Sequence, residues 1–69
     1  MPLSSAPNGT VSCIKKIAGN DDTKRFLSHL GFVEGASVTV ISKTAGNLIL
    51  KIKESRIAVE KTLARTIFV

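Results

Sequence analysis

The chain has 69 residues, 43% of them hydrophobic, with 10 Lys and Arg against 5 Asp and Glu, for a net charge of +5. That length holds one domain with one small core and leaves almost no room for a deep substrate cleft and the residues that would support it. The positive charge favours partners of negative potential, whether nucleic acid, an anionic bilayer surface or an acidic protein face, and does not choose among them. Cys13 is the only cysteine, so no internal disulfide can form, which points to a reducing compartment. Met1 to Asn8 has neither the basic nor the apolar region of a secretory leader, and no apolar run approaches the roughly 20 residues that span a bilayer. A soluble, cytoplasmic domain is expected.

Taken in order, Met1 to Asn8 (MPLSSAPN) carries Pro2 and Pro7 among small polar residues and reads as a flexible lead-in, with the folded domain over residues 9–69. Gly9 to Ile17 favours a strand whose alternation slips. Val11 and Cys13 share one face, expected inward, but Ile14 and Ile17 cannot share a face of one regular strand, so a bulge or bend is expected near Lys15. After the turn at Ala18-Gly19-Asn20, a helix is predicted over about Asp22 to Leu30. Asp21 or Asp22 would cap it, Phe26, Leu27 and Leu30 would form its buried stripe, and Gly31 would stop it.

Phe32 to Gly35 is a tight connection. Ser37 to Lys43 alternates as a strand with Val38 and Val40 on one face. Thr44 to Asn47 is a hairpin loop in which Gly46 and Asn47 can supply positive φ. Leu48 to Lys53 returns with Leu48, Leu50 and Ile52 inward. Arg56 to Val59 is a short strand, Glu60 to Arg65 allows one helical turn, and Thr66 to Val69 closes the sheet. Five short strands around one short α-helix in so few residues cannot make a two-sheet sandwich. They predict a mainly β fold: a small, strongly bent, barrel-like sheet with the helix at one end.

The pieces have a recognisable order: Ile14-x-x-Ile17, then Leu27-x-x-Leu30-Gly31-Phe32-x-x-Gly35-x-x-Val38-x-Val40, then Ile57-Ala58-Val59 and Ala64-x-x-Ile67-x-Val69. This order resembles the FeoA family over Gly9 to Val69, most specifically in LGFVEGASVTV at Leu30 to Val40. The short hairpin at Thr44 to Asn47 lacks the Gly-x-Pro often seen there, and Val59 stands where Leu is common. The resemblance implies an SH3-like β-barrel. It also implies a non-catalytic accessory role in bacterial ferrous iron uptake, binding the cytoplasmic part of the membrane GTPase transporter FeoB. The same domain occurs at the C-terminus of iron-dependent repressors, but this chain has no room for a DNA-reading helix-turn-helix.

The residue chemistry points away from catalysis. Cys13, read as a small inward hydrophobe, and His29, at the C-terminal end of the helix, are the only nucleophile and base candidates. One Cys, one His and five scattered acids do not compose a metal set, so no metal site and no cofactor are expected. The five glycines match neither a phosphate loop nor a dinucleotide fingerprint. The basic residues are spread along the chain and lack Tyr or Trp for stacking, which weighs against the alternative of a stand-alone nucleic-acid-binding barrel. The predicted partner-binding surface is the exposed side of the helix with the turn after it: Lys24, Arg25 and His29 beside the apolar Phe32 and Val33.

Overall fold

The computed structural model describes residues 1–69. It is mainly β, with strands β1 (Val11–Cys13), β2 (Lys16–Ile17), β3 (Ser37–Lys43), β4 (Asn47–Ile52), β5 (Ser55–Glu60) and β6 (Ile67–Phe68). Helix α1 (Asp21–His29) follows β2, and the single turn α2 (Lys61–Ala64) follows β5. There are thus six strands rather than the five expected, in an antiparallel sheet ordered β1-β3-β4-β5 and a two-stranded sheet of β2 and β6. The extra strand comes from the segment whose alternation slips. The Ile14 N–H donates to the Ala36 carbonyl at 2.9 Å, while the next N–H, of Lys15, donates to Phe68 at 2.8 Å. The chain therefore changes sheets between two adjacent residues, and Ile14 is buried at the corner.

The alternation in β3 and β4 is observed as predicted. Val38, Val40, Leu48, Leu50 and Ile52 are buried, and register pairs Val40 with Leu50 and Val38 with Ile52. Register slips past Ile41, between the Val40 and Ser42 pairs, a bulge that bends β3 where the sheet curls. The hairpin closes through Thr44, whose N–H donates to the Asn47 carbonyl at 2.8 Å and whose Oγ1 accepts from the Asn47 N–H at 3.1 Å. Neither Gly46 nor Asn47 adopts positive φ, so the threonine, not a left-handed residue, sets this turn.

Cys13 is exposed and Val11 is 66% exposed, which corrects the expected inward face of the first strand. Register is the reason. Ser12 opposes buried Val38, whereas Cys13 opposes exposed Ser37, so Ser12 takes the inward place.

Helix α1 begins one residue earlier than predicted and is capped by Asn20, not by Asp21 or Asp22. The Asn20 side chain accepts from the Thr23 N–H at 2.8 Å, leaving the two aspartates in the first turn. At the other end the Phe32 N–H donates to Leu27 at 2.9 Å and the Gly31 N–H to Ser28 at 3.0 Å, with Gly31 at φ 100. This paired closure makes Leu30 the C-cap and requires the left-handed glycine that follows it. Asn20→Ala is expected to cost about 1 kcal/mol, read by urea denaturation. An unchanged midpoint would mean that an aspartate takes over the cap.

Met1 to Asn8 is not a flexible lead-in. Leu3–Ser5 forms a 3-10 turn, Pro2 bridges to Phe68, and the Val69 N–H donates to the Met1 carbonyl at 2.8 Å. Leu3 and Ala6 are fully buried and belong to the same core as Leu27, Phe32, Ala64 and Ile67. All 13 buried residues are apolar.

Candidate functional site

Of the three residues in the predicted α1 stripe, only Leu27 is fully buried. Leu30 is half-buried against the core, and Phe26 is 54% exposed. The helical period sets Lys24 and Ser28 on one flank of Leu27, and Phe26 and Leu30 on the other. Each flank borders a groove.

The first groove, of about 490 Å³, is lined by Lys16 and Ile17 of β2, Lys24 and Ser28 of α1, and Val33 and Glu34 of the following turn, with Phe32 beneath. Two lysines flank it and Glu34 is its only acid, so its rim is basic. The second groove, of about 480 Å³, runs between Phe26 and Leu30 of α1, Ile57 to Glu60 of β5, and Leu63 of α2. Glu60 is its only charged lining residue.

The predicted partner surface is therefore brought together only in part. Lys24 and Val33 meet at the first groove, and Val33 is 43% exposed. Arg25 and His29 are exposed on the outward strip of α1 between the grooves. Arg25 lies 3.7 Å from Asp22 in a solvent-exposed pair that contributes little to stability. Phe32 does not belong to the surface. It is 0% exposed, because the turn after Gly31 folds it under the sheet, and a partner could reach it only through the groove floor. Sequence reasoning missed Lys16 and Ile17; the slip in alternation at Lys15 was the signal that the chain turns toward α1 there. It also missed the second groove, because Phe26 read as core.

No three of the His, Cys, Asp and Glu side chains gather where they could share a metal ion. No helix is long and apolar enough to cross a membrane.

Comparison with known proteins adds a family. The family model for the FeoA domain matches residues 1–69. Among solved structures, the chain is similar to an iron uptake regulatory protein, FeoA, with 25% identity and a TM-score of 0.90, covering 97% of this chain and 91% of that one. It is similar to Stenotrophomonas maltophilia FeoA complexed with zinc, described as a procaryotic SH3 domain protein, with 27% identity and a TM-score of 0.84 over 99% of this chain and 87% of that one. A manganese-dependent transcriptional repressor shares the fold at a TM-score of 0.88 and 16% identity, over 97% of this chain but 39% of its own. No curated protein matches the chain. The small SH3-like barrel expected from the sequence is the fold found, with six strands in place of five.

Proposed function

The chain belongs to the FeoA domain family, and from that membership we propose that it is a non-catalytic accessory domain of bacterial ferrous iron uptake. Its partner on this reading is the cytoplasmic part of a FeoB-like membrane GTPase transporter. The observation that carries the proposal is the family match along the whole chain, residues 1–69. The similarity to an iron uptake regulatory protein supports the same process.

The surface that suits the partner is the basic flank of α1. Lys16 and Lys24 border a groove with Val33 at its edge, and Arg25, paired with Asp22, and His29 lie exposed on the adjoining strip of the helix. A shallow apolar strip with a charged rim is the usual anatomy of a transient protein interface. With Lys16, Lys24 and Arg25 all exposed, their role is to steer encounter rather than to hold the complex.

The test is a titration of the purified chain with the cytoplasmic part of its matched transporter. Binding is expected on the order of tens of micromolar or tighter. Reversing Lys24→Glu and Arg25→Glu together should weaken it about tenfold at low salt, mainly through the association rate, with a smaller effect at high salt. Absence of binding by the unaltered chain would overturn the proposal. Affinity for nucleic acid falling steeply with salt would favour the nucleic-acid alternative instead.

A further inference from the structure

The four-stranded sheet buries one face and turns the other to solvent. Strand register sets Val11, Thr39, Lys51 and Arg56 in one row across the outward face, one residue on from the buried Val38 and Ile52. Lys51 and Arg56 are direct cross-strand partners, and both are exposed. Their Cβ atoms are therefore about 5 Å apart, and like charges so placed destabilise a sheet. Two residues past Lys51, Lys53 opens the turn into β5 at φ 54, the only non-glycine residue of the chain at positive φ. Gly, Asn or Asp suits such a turn position better than lysine. Two locally unfavourable choices thus adjoin, and both place a cation at the same corner of the sheet.

Acids do not offset them. The only ion pair in the fold is Arg25 with Asp22, so Lys51, Lys53 and Arg56 have no carboxylate partner. The four strands and the hairpins that join β3, β4 and β5 carry Lys43, Lys51, Lys53 and Arg56 against Glu54 and Glu60. Glu60 lies at the other end of β5, opposite Asn47. It stands about 13 Å along the strand from Arg56, beyond the screening length of about 10 Å at 0.1 M salt. Glu54, in the turn itself, is left as one acid among three cations.

We infer that this outward sheet face docks on an anionic bilayer surface, with Lys51, Lys53 and Arg56 against the negatively charged headgroups. Its shape selects that occupant. No residue of β1, β3 or β4 lines either groove, so the face is flat. A protein partner draws most of its affinity from an anchor seated in a pocket, whereas a bilayer needs only a cationic plane. Val11, 66% exposed in the same row as Lys51, adds an apolar contact at the headgroup boundary. Nucleic acid fits less well. None of the three Phe lies on these four strands to stack on bases, and four strands span about 14 Å between their outer axes, wider than a major groove of roughly 12 Å. The face uses no residue of the groove at Lys24, so it stands apart from the proposed transporter contact.

The experiment is cosedimentation of the intact chain with large vesicles at low salt. Vesicles of equal parts phosphatidylglycerol and phosphatidylcholine should bring the chain down, those of phosphatidylcholine alone should not, and binding should fall as salt rises. Each cation at such a surface is worth about fivefold. Lys51→Glu with Arg56→Glu should therefore weaken binding at least tenfold. Lys61→Glu with Arg65→Glu, the same change of net charge on α2, should weaken it much less. Lys53→Gly, which relaxes the turn, should melt higher than the parent and yet bind several-fold more weakly, so loss of fold cannot explain its loss of binding. The inference is overturned if the anionic vesicles leave the chain in solution, if neutral vesicles bind it equally, or if the α2 variant loses as much as the sheet variant. Tighter binding of the same residues to duplex DNA or to polyglutamate would also overturn it, assigning the face to nucleic acid or to an acidic protein.

Discussion

Phe32→Ala is expected to destabilise the domain by about 3–5 kcal/mol, the range for deleting a buried aromatic. Phe32 is the largest of the fully buried side chains and is 0% exposed. Its own N–H closes α1 by donating to Leu27 at 2.9 Å, so the side chain and the helix terminus are placed together. Gly31 brings the turn close to the sheet: a Cβ there would lie 3.6 Å from Ile52 Cγ1. Alanine would thus leave a cavity among Leu27, Ile52 and their neighbours that the turn, fixed by a left-handed glycine, cannot collapse to fill. Small domains hold about 5–15 kcal/mol in total, and one of this size is near the lower end. Chemical denaturation should therefore show a midpoint lowered by at least a third, or no folded baseline. A variant as stable as the parent would mean that Phe32 is not core, and would return it to the partner surface.

Leu3→Ala should cost about 2–5 kcal/mol, a result that a flexible lead-in forbids. Leu3 is fully buried although it lies in a three-residue 3-10 turn between two prolines. The turn is held from the far end of the chain. Pro2 bridges to Phe68, Val69 donates to Met1, and α2 packs against it. Leu3→Ala and Ala64→Gly touch the same contact between the turn and α2, so their effects should not add in a double-mutant cycle. Thermal melts of Leu3→Ala provide the check, and a shift of under about 2 °C, against the roughly 4–8 °C per kcal/mol usual at this size, would show the segment to be peripheral.

These two residues mark where sequence reading stops. Phe26 and Phe32 lie six positions apart on either side of a helix end, and composition treats them alike. Phe32 is buried and Phe26 is exposed because the turn after Gly31 folds back onto the sheet, and periodicity within α1 carries no information about that turn. Leu27 was legible as core from its helical spacing, and Leu30 only in part, since the C-cap leaves the helix before the face is complete. The basic site residues Lys24, Arg25 and His29 were correctly read as exposed; that only Lys24 borders a groove depended on the approach of β2 to one flank of α1.

What the sequence determined by itself is whatever depends on neighbours along the chain. Period-two alternation set β3 and β4 and their inward faces, Gly31 stopped α1, the misfit of Ile14 and Ile17 announced a bend, and the order of the pieces carried the family. What only the tertiary structure decided depends on residues distant along the chain, in two cases more than fifty positions apart. Leu3 is buried by the closing strand and α2, and Lys15 pairs with Phe68 rather than with β3. The register of β1 against β3 turned Cys13 out. β5 ends the four-stranded sheet, with Phe26 and Leu30 of α1 across a groove from it. Local propensity acts over a few residues, whereas burial and strand pairing are settled by which distant segments meet, and one chain read in order does not contain those meetings.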